Sequence, residues 1–326
     1  MSLRNEPDHQ RNPELPLAVN ETPNGAEGRP PLLPVRYPDP DLFICDVLDA
    51  IPKDDMASME HPIFSLATKP DRRVFRYEHN GNKLEIVPSV KGLATIHDKD
   101  ILIYCISQLI GKMNQGERPS RTLHLTARDL LVWTNRQTDG DGYDRLRSAF
   151  ERLSGTRITT NIKADGEEIT EGFGLINEWR IVRQTRSGQM SEIKVTLSDW
   201  LFKMVEGRSV LTLHRDYFRL RKPLERRIYE LARKHCGRQP EWQISVAVLA
   251  KKTGSTSPVR VFRAMLRQMI EKHLEYTGSG PAKEILDQWD QTLPLFKKVM
   301  PRDYRRVLEE RKRREENREP EAVRHG

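Results

Sequence analysis

The sequence predicts an α+β chain built on two copies of one small helical unit. Three observations carry that prediction. A continuous stretch, Thr122 to Lys163, reads strand, helix, loop, helix, strand. A second stretch, Ile244 to His273, repeats its strand–helix–loop–helix part with matching apolar spacing. An Asn80-Gly81 pair between two β-rich runs marks a hairpin, because both turn residues tolerate positive φ.

In the first stretch Leu123 and Leu125 alternate with polar residues, as in a short strand. Thr126 can cap a helix over Ala127 to Trp133 by accepting from its free N–H groups. Asn135 to Gly142 is loop chemistry. In the next helix Leu146, Ala149, Phe150 and Leu153 make one apolar face, and Gly155 stops it. Thr156 to Lys163 is β-branched and turns near Asp165-Gly166. That order is the plan of a winged helix-turn-helix, whose second helix enters the DNA major groove.

The chain around it follows in order. Met1 to Pro38 is rich in proline and poor in large apolar residues, so a disordered arm is expected. Leu42 to Leu48 suits a short helix ended by Pro52. Asp98 caps a long helix to Gln115 with an apolar face from Ile101 to Ile110. Gly172 to Arg183 and Glu192 to Leu197 read as the wing and a sheet extension, and Ser198 caps a helix over Asp199 to Val205. Pro223 opens a helix to Cys236. Glu241 to Ile244 is a strand, Ser245 caps Val246 to Lys252, and Pro258 opens Val259 to His273. Phe262, Met265, Leu266 and Met269 there match the spacing of Leu146, Ala149, Phe150 and Leu153. A helix over Lys283 to Gln291 precedes a charged helical tail. The expected divisions are an arm at 1–38, a first winged-helix domain at 39–207, a second at 208–280 and the tail at 281–326.

Composition points to an anionic partner. The net charge is +8, with 31% charged and 37% hydrophobic residues, which favours nucleic acid over a membrane surface. No apolar run spans a bilayer or follows a basic start as a signal peptide, so no membrane partner is expected and a cytoplasmic protein is. The three cysteines, Cys45, Cys105 and Cys236, form no CxxC, which argues against a zinc or disulfide framework. No phosphate-binding Gly-rich loop, HExxH or GxSxG occurs, and the histidines do not cluster at ligand spacing. No enzyme activity, metal or cofactor is therefore expected.

The candidate DNA contacts are the polar sides of the two second helices. Arg145, Arg147, Ser148 and Arg152 lie on the first, and Arg260, Arg263 and Arg267 on the second. Guanidinium forks at helical spacing reach guanine edges or phosphates. Lys251 and Lys252 precede the second turn, and Arg157 and Lys163 suit wing contacts. Arg147, Ser148, Arg263 and Arg267 are the expected base contacts.

Residues from about Leu33 to Leu274 resemble the replication initiator protein A family of bacterial plasmids and related mobile elements. The carrying stretches are EHPIFSLATKPDRRVFRYEHNGNKLEIVPSVKGLATIHDKDILIYCISQLIGKMNQG from Glu60, LHLTARDLLVWTNRQTDGDGYDRLRSAFERLSGTRITTNI from Leu123 and LERRIYELARKHCG from Leu224. The resemblance implies an initiator that binds double-stranded DNA repeats at a plasmid-type origin, helps open the duplex and recruits host replication proteins. It implies no cofactor, and a homodimer formed through the first unit. A tandem winged-helix transcriptional repressor would share every DNA-binding feature, and a scaffolding protein would use the charged tail. Ile285 to Leu308 also resembles the end of glutamate synthase large subunits, without the catalytic cysteine, flavin domain or iron–sulfur cysteines of those enzymes.

Overall fold

The computed structural model describes residues 32–37, 45–46, 62–79, 82–164, 167–183, 190–208, 210–236 and 244–289. All of them lie in one unit that begins at Leu32. The elements in order are β1 (Cys45–Asp46), β2 (Phe75–His79), β3 (Asn82–Val87), α1 (Lys99–Asn114), β4 (Thr122–Leu125), α2 (Ala127–Trp133), α3 (Gly140–Gly155), β5 (Arg157–Ala164), β6 (Glu167–Gly174), β7 (Ile176–Arg183), β8 (Met190–Leu197), α4 (Asp199–Glu206), β9 (Leu211–Thr212), α5 (Pro223–Cys236), α6 (Val246–Thr253), α7 (Val259–Thr277) and α8 (Gly280–Asp287).

Helix α1 is the centre. Ile101, Leu102, Ile103, Cys105 and Ile106 are all fully buried, so this helix is apolar all round. Burial pushes the Cys105 thiol up to about 12, which keeps it a protonated core residue. Two antiparallel sheets cover α1 and α3. One runs β2-β3-β5-β6 and the other β4-β8-β7, while β1 pairs with β9 alone. Inward residues alternate along both: Leu84, Ile86 and Ile158 in the first, Ile193, Val195 and Leu197 in the second. His79 faces Asn82 in the β2–β3 register; the Asn80-Gly81 turn expected from sequence lies outside the described residues. Tyr217 and Phe218, on a single 3-10 turn over Arg215–Arg219, close this large core.

A second, smaller core holds Leu231, Val246, Leu249, Ala250, Phe262 and Leu266. Helix α8 packs against α7, with Ala282 4% exposed. Helix α5 stands between the two cores, Tyr229 packing on the first and Leu224 and Ile228 on the second.

The junction between the cores is ionic. Arg226 of α5 donates to Asp100 of α1 at 2.6 Å. Lys99 of α1 meets Glu230 of α5 at 3.1 Å with both side chains 1% exposed. Arg227 donates to Glu230 at 3.0 Å and to the Lys252 carbonyl of α6. Gly254 ends α6 at φ +74, and a Cβ there would lie 2.5 Å from the Pro62 Cβ. Only glycine combines that backbone with that close approach.

Several expectations are corrected. Leu32–Tyr37, assigned to a disordered arm, is held in place. Leu33 N–H donates to the Arg219 carbonyl at 2.9 Å, Arg36 N–H to Asn135 Oδ1 at 2.8 Å, and Asn135 Nδ2 to the Pro34 carbonyl at 3.1 Å. A proline-rich segment that buries little surface is ordered here by bonds to its backbone. Residues 1–31 of that arm lie outside the described residues. Cys45–Asp46 is a strand, not part of a helix, because it pairs with Leu211–Thr212. Asp98 does not cap α1 with its side chain; its carboxylate is taken by Thr95 N–H at 2.8 Å and by Arg152. Leu213, Tyr217 and Phe218, beyond the expected division at 207/208, belong to the first core. The Glu241–Ile244 strand lies almost wholly outside the described residues, and Ile244 itself is not in a strand. Helix α8 packs against α7, and Trp289 just beyond it packs on the second core; most of the tail resembling glutamate synthase lies outside the described residues.

Candidate nucleic-acid interface

Helix α3 is built on local chemistry and then anchored. Asp139 accepts from Gly142 N–H at 2.8 Å, so the helix starts three residues before Tyr143. Gly142 is required there: a Cβ would lie 2.1 Å from the Gln137 carbonyl oxygen. Phe150 stacks on Trp179 of β7 at 5.6 Å, and Trp179 Nε1 donates to Ser154 at 3.0 Å. Arg152 makes a two-bond fork to Asp98, both at 2.7 Å. That hydrogen-bonded carboxylate raises the Arg152 pKa above its ordinary value, against the cost of burial. Arg152 is thus a strut between α3 and α1, with 18% of its side chain exposed.

The remaining α3 residues reach solvent. Arg145 is 60% and Arg147 59% exposed at the side chain, and Ser148 is half-buried. At 100° per residue Arg145 and Arg152 share one flank, and Arg147 lies on the other, 3.4 Å from Glu151. The outward centre of α3 carries Asp144, Ser148 and Glu151, so its charge is mixed. Arg180 and Arg183, on β7, are also exposed.

Helix α7 presents a cleaner cationic stripe. It follows α6, which Ser245 caps by accepting from Val248 N–H at 3.3 Å. Phe262 and Leu266 bury the inner face. Arg260, Arg263 and Arg267 are exposed on the opposite face, with Ala264 between them. Arg267 meets Glu271 at 3.0 Å and lies over the Trp289 ring at 5.7 Å. Arg260 and Arg263 have no ion partner among the described residues.

The other sequence-derived positions divide. Lys251 is exposed. Lys252 points inward at 7% exposure, and burial lowers its pKa to about 8. That burial corrects its reading as a phosphate contact. Arg157 is exposed, and both it and Lys163 lie on β5. Strand β5 belongs to the β2-β3-β5-β6 sheet and not to the sheet that contains the β7–β8 hairpin. Both residues lie on the strand that pairs with β6, which contains the first residues of the Gly172 to Arg183 stretch.

Sequence reasoning missed the buried charges at the α1–α5 junction. A signal existed: Asp98-Lys99-Asp100 opens a helix that is otherwise apolar on every face. Charges in such a position must be paired inside the fold.

Among the described residues no group of three His, Cys, Asp or Glu could hold a metal ion. No described helix is long and apolar enough to cross a membrane.

Comparison with known proteins agrees with this architecture. The "Putative replication protein" of Wigglesworthia glossinidia brevipalpis is 38% identical over 224 residues, which is 68% of this chain and 81% of that one. The large chain of Bacillus subtilis glutamate synthase [NADPH] matches over only 43 residues, 13% of this chain and 3% of the synthase. In structure the chain is similar to domains 2 and 3 of RctB, with a TM-score of 0.51 at 12% identity, over 66% of this chain and 83% of that one. At that identity the likeness establishes a shared fold. The family profile of Replication initiator protein A matches residues 53–277. The chain belongs to the replication initiator protein A family.

Proposed function

We propose that this initiator recognises double-stranded DNA repeats at a plasmid-type origin through two winged-helix units. In the first unit α3 is the recognition helix and the β7–β8 hairpin is the wing. In the second, α7 is the recognition helix. The observation that carries the reading is the exposed stripe of Arg260, Arg263 and Arg267, presented by a helix whose inner face is fixed by Phe262 and Leu266. Three guanidinium groups on successive turns of one helix suit phosphates and guanine edges along a major groove. Arg145 and Arg147 flank α3 and contribute there, with Ser148 between them.

The chain acts by binding, bending and opening its site, with no catalytic step of its own. Host replication proteins are recruited onto that complex, and a homodimer is the form that reads paired repeats. The test is binding of the purified chain to the repeats beside its own gene, against scrambled DNA. Equal affinity for both would reduce the reading to a basic protein of no sequence preference.

A further inference from the structure

A cavity of about 490 Å³ opens between the start of α3, the start of α1 and the Leu32–Tyr37 segment. Its lining holds seven Lys or Arg side chains against two carboxylates, Asp98 and Asp100. Those two are already used: Asp98 by Arg152, and Asp100 by Arg136 at 2.9 Å and by Arg226 at 2.6 Å. Among the described residues, Arg36, Lys69 and Arg221 are left with no ion pair. Arg145 has a loose contact to Asp139 at 3.8 Å and a long hydrogen bond to Gln137 Oε1 at 3.4 Å. The Arg221 Nε–H is buried and has no hydrogen-bond partner. A buried donor without an acceptor is destabilising, more so when charged, and an anion in the cavity would supply the acceptor.

We propose that this cavity binds a phosphate group, held by Arg221 from within and by Arg36, Lys69 and Arg145 at the rim. Phosphate suits it better than a carboxylate. Its oxygens accept from several guanidinium forks at once, and it carries the extra charge the rim leaves unbalanced. The volume falls in the range of small-molecule sites, so more than one phosphate fits. Leu33, Pro70 and Leu220 give it an apolar side as well. The charge balance has a second reporter. His97 also lines the cavity, and its pKa is lowered to about 4 by burial and then by Arg226 and Arg136.

The phosphate has two possible sources, a free nucleotide or polyphosphate and the backbone of bound DNA. The site takes Arg145 from α3 but otherwise lies apart from the faces proposed for DNA, and its test needs no DNA. Tripolyphosphate is titrated into the full chain by calorimetry, with Arg221→Met, Arg36→Met and Lys69→Met alongside. Arg36 and Lys69 are exposed, so their variants fold even if Arg221→Met does not. Arg76→Met removes the same charge from an exposed pair with Glu85 on the β2–β3 hairpin and serves as control. We expect saturable binding, weakened at least tenfold by Arg221→Met, several-fold by each rim variant, and not by Arg76→Met. No saturable binding, or an equal loss in Arg76→Met, overturns the proposal. Origin duplex is then added. If duplex displaces tripolyphosphate and Arg221→Met lowers the salt slope of duplex binding by about 1, the DNA backbone is the source. If both bind together, a free phosphate ligand is.

Discussion

Replacing Glu230 by Gln tests the ionic junction that joins the two cores. Glu230 is 1% exposed and accepts from Lys99 Nζ at 3.1 Å, Arg227 Nη1 at 3.0 Å and the Tyr217 hydroxyl at 2.5 Å. The substitution keeps the shape and removes the charge. Lys99 and Arg227 would stay buried while the carboxylate charge they share is removed. Breaking a buried pair in this way costs about 3–5 kcal/mol. Glu85→Gln provides the scale, because Glu85 and Arg76 are 42% and 72% exposed and such a pair contributes at most about 1 kcal/mol. The assay is urea unfolding of both variants at low and high salt. Glu230→Gln should lose at least about 2 kcal/mol more than Glu85→Gln. That excess should persist at high salt, since screening acts on exposed charges far more than on buried ones. A loss within about 1 kcal/mol of wild type, or one that salt abolishes, would refute a buried ionic junction.

Three further outcomes follow from named contacts. Gly254→Ala should destabilise by about 1–2 kcal/mol through its left-handed backbone alone, and by more because Pro62 must shift; thermal unfolding reads it. Asn135→Ala should free Leu32–Tyr37, since Asn135 makes two bonds to that segment and tolerates φ +56 better than alanine does; faster amide exchange at Arg36 is the readout. His97 has a pKa of about 4 in the fold against 6.5 ordinarily. Between those values the unfolded chain takes up a proton that the folded chain does not. Stability is therefore fully present above pH 6.5 and falls as pH drops towards 4, by up to about 3 kcal/mol. His97→Gln should flatten that slope in urea titrations at stepped pH.

Much of the fold was legible because it rests on local signals. Thr126, Ser198 and Ser245 cap the helices they were expected to cap. The apolar face of α3 is that read from spacing, and on α7 Phe262 and Leu266 of the expected face are buried. What sequence could not show depended on distant partners. Asp98 looks like a cap until Arg152, on another helix, takes its carboxylate. Lys251 and Lys252 look alike, and only the packing of α6 turns one outward and one inward. Strand β5 pairs with β6 as a local hairpin, but its other neighbour, β3, comes from a distant stretch of sequence. The basic cavity draws Arg36, Lys69, Arg145 and Arg221 from separate parts of the chain, so no motif announces it.

The most direct test of the central proposal is a salt series of origin-repeat binding with wild type and Arg263→Ala. Arg263 is exposed and without an ion partner among the described residues, so its loss leaves the fold intact. If α7 lies in the major groove, binding should be repeat-specific and weaken steeply with salt. Arg263→Ala should then cost about 1–3 kcal/mol if it reads a base, or lower the salt slope by about 1 if it holds a phosphate. Unchanged affinity and unchanged slope in Arg263→Ala, with repeat-specific binding retained in the wild type, would contradict the placement of α7 on DNA.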